Sequence, residues 1–177
     1  MPNSTPIVDI KKDMLIAIQN DDNIIDCLGI QADEDRDNLI VDDDKNTMLK
    51  KRLFPYWFVP QTQDTVKTYI CIEVGVEAFA KRHATAADDR TYDIVTIKIY
   101  VLSHQDDIYM NKAGISALRN DYISYLIDEK FNGSTDFGIG KLQRISNQPF
   151  SLKDNIYRYR EIVFTTVDFN DDMCGVV

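Results

Sequence analysis

Two runs of alternating residues, TYICIEVGVEAF from Thr68 and TYDIVTIKIYVLS from Thr91, constrain this chain more than any other feature. Successive side chains of a strand point to opposite faces. Ile70, Ile72, Val74 and Val76 therefore line one side of the first run, and Val95, Ile97, Ile99 and Val101 one face of the second. The segment between them, Ala80 to Arg90, is small and polar. Neighbouring strands joined in this way are expected to pair as an antiparallel hairpin with a mobile tip. Such tips carry function more often than cores do.

Helical spacing flanks this hairpin. Ile7, Ile10, Met14, Ile18, Ile25 and Leu28 return every three or four residues with one longer gap. Ser4 or Thr5 ahead of Pro6 supplies a start, Asn20-Asp21-Asp22 a break and Gly29 a stop. Ala113 to Lys130 predicts the best helix, capped by Asn111 and ended by Asn132-Gly133. Gly138 to Gln148 and Arg158 to Phe169 read as two further strands. The expected fold is α+β: a mostly antiparallel four-stranded sheet with a long helix packed on one face and an N-terminal helix beside it. With 177 residues, the chain is expected to form one domain.

Three segments stand apart. Gln31 to Asn46 is dominated by acidic residues and reads as an exposed loop pinned to the core by Leu39, Ile40 and Val41. Leu53 to Pro60 (LFPYWFVP) is the densest aromatic stretch, and its prolines forbid a regular helix and a central strand alike. It is expected to be an extended arm, folded on its own core or anchoring a partner. Asn170 to Val177 reads as a flexible tail.

Charge and composition exclude several classes. A net charge of −9 repels nucleic acid, although Lys50-Lys51-Arg52 forms a local basic run. No apolar run approaches the ~20 residues of a membrane-spanning helix. The first residues lack a basic head before an apolar core, so no secretory signal is expected. Cys27, Cys71 and Cys174 are widely separated and form no CxxC pair, which supports neither a disulfide framework nor a zinc site.

The search for catalytic chemistry yields none. His83 and His104 are tied to no nucleophile. Gly138-Ile139-Gly140 is a lone GxG, read as a turn or bulge instead of a phosphate cradle. Glu73, Glu77, Asp93, Lys98 and Glu161 fall on expected strands, but Asp93 and Lys98 point to opposite faces, against a metal-dependent nuclease site. Asp33, Asp35, Asp37 and Asp44 match four positions of a calcium-binding loop, with Ile40 at its apolar position. Asn38 stands where that pattern needs glycine, and Asp44 replaces its glutamate, so a solvated acidic loop is expected. No metal or cofactor and no enzymatic activity are assigned.

The element order is similar to that of tail terminator (tail completion) proteins of long-tailed bacteriophages. The matching parts are IVDIKKDMLIAI, FPYWFVPQ, the paired runs TYICIEVGVEAF and TYDIVTIKIYVLS, the helix GISALRNDYISYLIDEKF and the strand YREIVFTTVDF. The resemblance implies a homo-oligomeric ring, hexameric in that family, which caps the tail tube and joins it to the head-side connector of the virion. Such a ring is assembled in the host bacterial cytoplasm, and DNA passes through it without specific binding. In that family, loops between the long strands face neighbours or the channel. The implied interface is Phe54, Tyr56, Trp57 and Phe58 on the arm with Lys81, Arg82 and Arg90 in the loop. The acidic insertion and the aromatic arm depart from the family layout. Another neck or adaptor component, or a binding module of like architecture, is the alternative, and a metal-dependent hydrolase a distant one.

Overall fold

The computed structural model describes residues 5–31, 34–41, 48–60, 65–81, 90–112, 114–150 and 156–167. The N-terminal periodicity resolves into α1 (Thr5–Gln19) and α2 (Asp22–Cys27), broken where expected. Asp21 causes the break: its carboxylate accepts from the amides of Asn23 and Ile24 and caps α2. Gly29, at φ 65°, turns the chain out of that helix.

The strands are β1 (Leu53–Phe54), β2 (Thr68–Lys81), β3 (Arg90–His104), β4 (Tyr109–Lys112), β5 (Ile115–Leu118), β6 (Lys141–Phe150) and β7 (Tyr157–Val167). A third helix, α3 (Arg119–Phe131), lies between β5 and β6. The expected hairpin is present, with β2 and β3 paired antiparallel from Thr68↔Ser103 to Lys81↔Arg90. The expected sheet is not. Instead of a mostly antiparallel four-stranded sheet with a long helix on one face and an N-terminal helix beside it, the described residues form a mixed five-stranded sheet in the order β1-β2-β3-β7-β6, a separate β4-β5 pair and three α-helices.

Two local causes explain this correction. The start of the aromatic arm is itself a strand, since Leu53 and Phe54 pair parallel with Ile70 and Cys71. The arm's prolines lie beyond this pairing, so they do not interrupt it. The helix expected from residue 113 begins only at Arg119, because Ile115 to Leu118 pair with β4. Asn111, the expected cap, is opposite Ser116 in that pair. Four residues are too few for a helical period to be told from an alternating one.

Helices cover one face of the large sheet. Ile70, Ile72, Ile97, Ile99, Ile162 and Phe164 pack there with α1, α2 and α3 residues such as Met14, Ile25 and Ile127. The opposite face carries Tyr69, Cys71, Tyr100, Leu102, Tyr157 and Tyr159, packed against Phe54, Trp57 and Phe58. Gly138 and Gly140 have φ of 68° and 89° and turn the chain into β6 at Lys141, three residues later than expected. The pairing of β6 with β7 slips between Arg144 and Ser146, leaving Ile145 as a bulge.

Candidate assembly surface

The aromatic arm lies on its own sheet. Phe54 is fully buried and stacks on Phe58 with ring centroids 4.1 Å apart. Trp57 meets the edge of Tyr100 at 4.5 Å and stacks on Tyr159 at 5.6 Å. Phe150, from the end of β6, closes the row at 6.2 Å from Trp57. Lys11 Nζ donates to Pro55 O at 2.8 Å and ties the arm to α1. Trp57 and Phe58 are half-buried, and Tyr56, 40% exposed, is the arm aromatic that faces solvent.

Of the basic residues assigned to the loop, Lys81 and Arg90 lie at the far end of the hairpin. Lys81 and Arg90 face one another as its last described pair, and Arg82 lies outside the described residues. Beyond the sheet this hairpin is a two-stranded ribbon. β7 accompanies β3 only from Thr96 to His104, and β1 accompanies β2 only at Ile70 and Cys71. Among the described residues, the outer edge of β2 from Ile72 onward therefore has no partner strand. A groove of about 420 Å³ lies over β2 and β3 in this ribbon, lined by Lys11, Glu73, Gly75, Glu77, Thr96 and Lys98 among others. Of the expected strand-face charges, Glu73, Glu77 and Lys98 line this groove, whereas Glu161 lies on β7 opposite Tyr100 and Gln148. Asp93 has no described side chain.

The acidic loop holds a residue that the sequence did not single out. Glu34 is buried and accepts hydrogen bonds from Arg52, Lys67 and the amide of Gln31. The basic run is correspondingly not a surface patch. Arg52 is bound to Glu34, and Lys51 Nζ donates to Asn38 Oδ1 at 2.9 Å, which leaves Lys50 exposed. Leu39 is buried and Ile40 bridges to Leu53, so the middle of the loop is pinned as expected. Gln19 completes the anchor, its Oε1 accepting from the amides of Leu39 and Ile40. Of the calcium-loop positions, Asp35 caps a local turn through the amide of Asp37, whereas Asp33 and Asp44 lie outside the described residues.

The remaining reactive groups are packed as structural ones. His104 is buried, stands edge-on to Tyr157 at 5.3 Å and accepts from the Asp106 amide through Nδ1. His83 lies outside the described residues. Cys27 and Cys71 are buried thiols, and burial pushes Cys71 up to about 12, which keeps it protonated. Burial likewise pushes the Tyr69 and Tyr100 hydroxyls well above their ordinary range.

A family model described as YomW matches residues 21–166, from the cap of α2 to the last residues of β7. No curated protein matches the chain.

Proposed function

We propose that this chain, which belongs to the YomW family, is a phage structural subunit that acts by self-association, in the manner of a tail terminator at the head–tail junction. Membership of that family supports a phage-associated origin. The observation that carries the assembly reading is the open edge of β2, a strand of 14 residues with a partner on its outer side at only two among the described residues. A long unpaired edge invites pairing with another chain, and soluble proteins blunt such edges with bulges and prolines. The opposite edge of the sheet, β6, carries both devices, the bulge at Ile145 and Pro149. β2 carries neither among its described residues. A ring closes when two different patches meet around a rotation axis, and the β2 edge supplies one. No chemical step is assigned to the subunit.

The test is the mass of the purified chain by light scattering over a concentration series, followed by negative-stain imaging, for the parent and Val76→Lys. Val76 is 38% exposed on the ribbon, so lysine there charges the edge without touching the core. The expected result is a ring of about six subunits, the number the terminator resemblance implies, that Val76→Lys dissociates. A strict monomer that also fails to cap purified tail tubes would overturn the terminator reading and leave an adaptor or binding module.

A further inference from the structure

Asn132, at the end of α3, is the one asparagine of the chain that glycine follows. An asparagine in that setting is open to attack by the next backbone nitrogen, because glycine has no Cβ to shield it. The Gly133 nitrogen adds to Cγ of Asn132, the bond from Cγ to the side-chain nitrogen breaks, and ammonia leaves with the proton that Gly133 gives up. Water then opens the five-membered imide at either of its two carbonyls. One opening gives aspartate. The other gives isoaspartate, whose main chain runs through Cβ and is one methylene longer. No oxidant, reductant or further reactant is needed.

The fold holds both reacting groups away from this path. Gly133 N donates to Leu142 O at 2.8 Å, and Asn132 Oδ1 accepts from the Arg144 amide at 3.1 Å. Leu142 N in turn donates to Ser134 O at 2.9 Å. Ring closure needs Cβ of Asn132 and the Gly133 nitrogen on the same side of the Cα–C bond, whereas ψ 116° at Asn132 sets them apart. Asn132 is exposed, so water reaches it and geometry alone stands in the way.

The same bonds cover part of the outer edge of β6. Leu142 and Arg144 turn these backbone groups away from β7, and the turn after α3 occupies them. A bare edge strand invites pairing with another chain, and the segment Asn132 to Ser134 closes β6 against it here. Gly133 makes the turn possible with φ 88°, which glycine adopts without strain. A main chain one methylene longer ahead of Gly133 shifts Gly133 and Ser134 out of register with Leu142.

We propose that Asn132 is a modification site, at which deamidation is shut while the turn covers β6 and proceeds once it lifts, and that the isoaspartate product leaves this stretch of the β6 edge uncovered. Its rate then follows the population of the open turn.

The full chain is aged in one mildly alkaline buffer, folded and unfolded in guanidinium chloride. Mass spectrometry follows the peptide that carries Asn132, and isoaspartyl methyltransferase counts isoaspartate. In the unfolded chain this peptide is expected to convert ahead of every other asparagine-containing peptide, and in the folded chain at least roughly tenfold more slowly. Equal rates in the two states, or another asparagine converting first in the unfolded chain, would overturn the gated site. The aged chain is then refolded beside Asn132→Asp, which keeps an acceptor for the Arg144 amide. Hydrogen exchange at the Leu142 and Arg144 amides is expected to match the parent in Asn132→Asp. In the isoaspartate fraction it is expected to be at least about tenfold faster, with β7 protected as before. Parent-like exchange at Leu142 and Arg144, or protection lost across β7 as well, would overturn the edge cover.

Discussion

Arg52 grips Glu34 at two points, with Nε 2.9 Å from Oε1 and Nη2 2.6 Å from Oε2, and neither side chain reaches solvent. Lys67 Nζ adds a third contact at 2.5 Å from Oε1, so one carboxylate faces two cations. Arg52 also donates to Thr68 O at 3.1 Å. The pair therefore joins the acidic loop to the residues that start β1 and β2. Removing one partner of a buried pair strands the other charge and costs roughly 3–5 kcal/mol. Glu34→Gln is expected to destabilise the fold by that amount in urea unfolding. A loss below about 1 kcal/mol would show that water reaches Arg52 and Lys67.

The same carboxylate predicts a pH dependence. Burial alone raises its pKa, but hydrogen bonds from Arg52, the Gln31 amide and Lys67 outweigh burial and hold it below the ordinary value. Asp21 behaves alike, with burial opposed by Lys130 and by the Ile24 and Asn23 amides. The unfolded chain then takes up these protons at a higher pH than the native one. Stability from both groups is complete above their unfolded pKa values, about 4, and is lost as the pH falls through the native values. Unfolding free energies measured between about pH 6 and pH 3 are expected to decline, and to decline less steeply in Glu34→Gln.

Two glycines of the same size of change are expected to respond in opposite ways. Gly29 holds φ 65°, and an added Cβ would meet Arg119 Nη1 at 3.1 Å. That guanidinium is fixed by the Cys27 carbonyl at 2.5 Å and by Asp107 at 2.8 Å, so it has little room to yield. Gly29→Ala is expected to cost about 1–2 kcal/mol. Gly75 lies on β2, and the nearest atom to an added Cβ is the Thr96 carbonyl at 4.0 Å. Gly75→Ala is expected to stay within about 0.5 kcal/mol of the parent or to stabilise it. Thermal unfolding of both variants checks the contrast.

What was legible in the sequence was whatever rested on local period and local capping. The β2-β3 hairpin, the Asp21 break, the Gly29 stop and the Leu39 anchor all follow from residues within one turn or one strand of each other. The β1 pairing was hidden because its partner strand begins 14 residues after Phe54, and a two-residue strand has no period to detect. Glu34 was hidden for a similar reason. In an acidic run it looks like its neighbours, and only the fold brings Arg52 and Lys67 to it from 18 and 33 residues away.

The arm separates folding from assembly, because its aromatics are unequally exposed. Trp57 contacts Tyr100, Tyr159 and Phe150, so Trp57→Ala is expected to cost roughly 2–3 kcal/mol, less than the 3–5 of a fully buried aromatic. Tyr56 touches Phe54 edge-on at 5.8 Å and is 40% exposed. Tyr56→Ala is expected to change stability by less than about 1 kcal/mol. An exposed tyrosine beside a rigid aromatic stack is the kind of residue that carries binding energy at an interface. Tyr56→Ala is therefore expected to raise the concentration needed for self-association about tenfold, read by the same light-scattering series. If association instead weakens only in Trp57→Ala, in step with its lost stability, the arm serves the fold alone and the contact between subunits rests on the β2 edge.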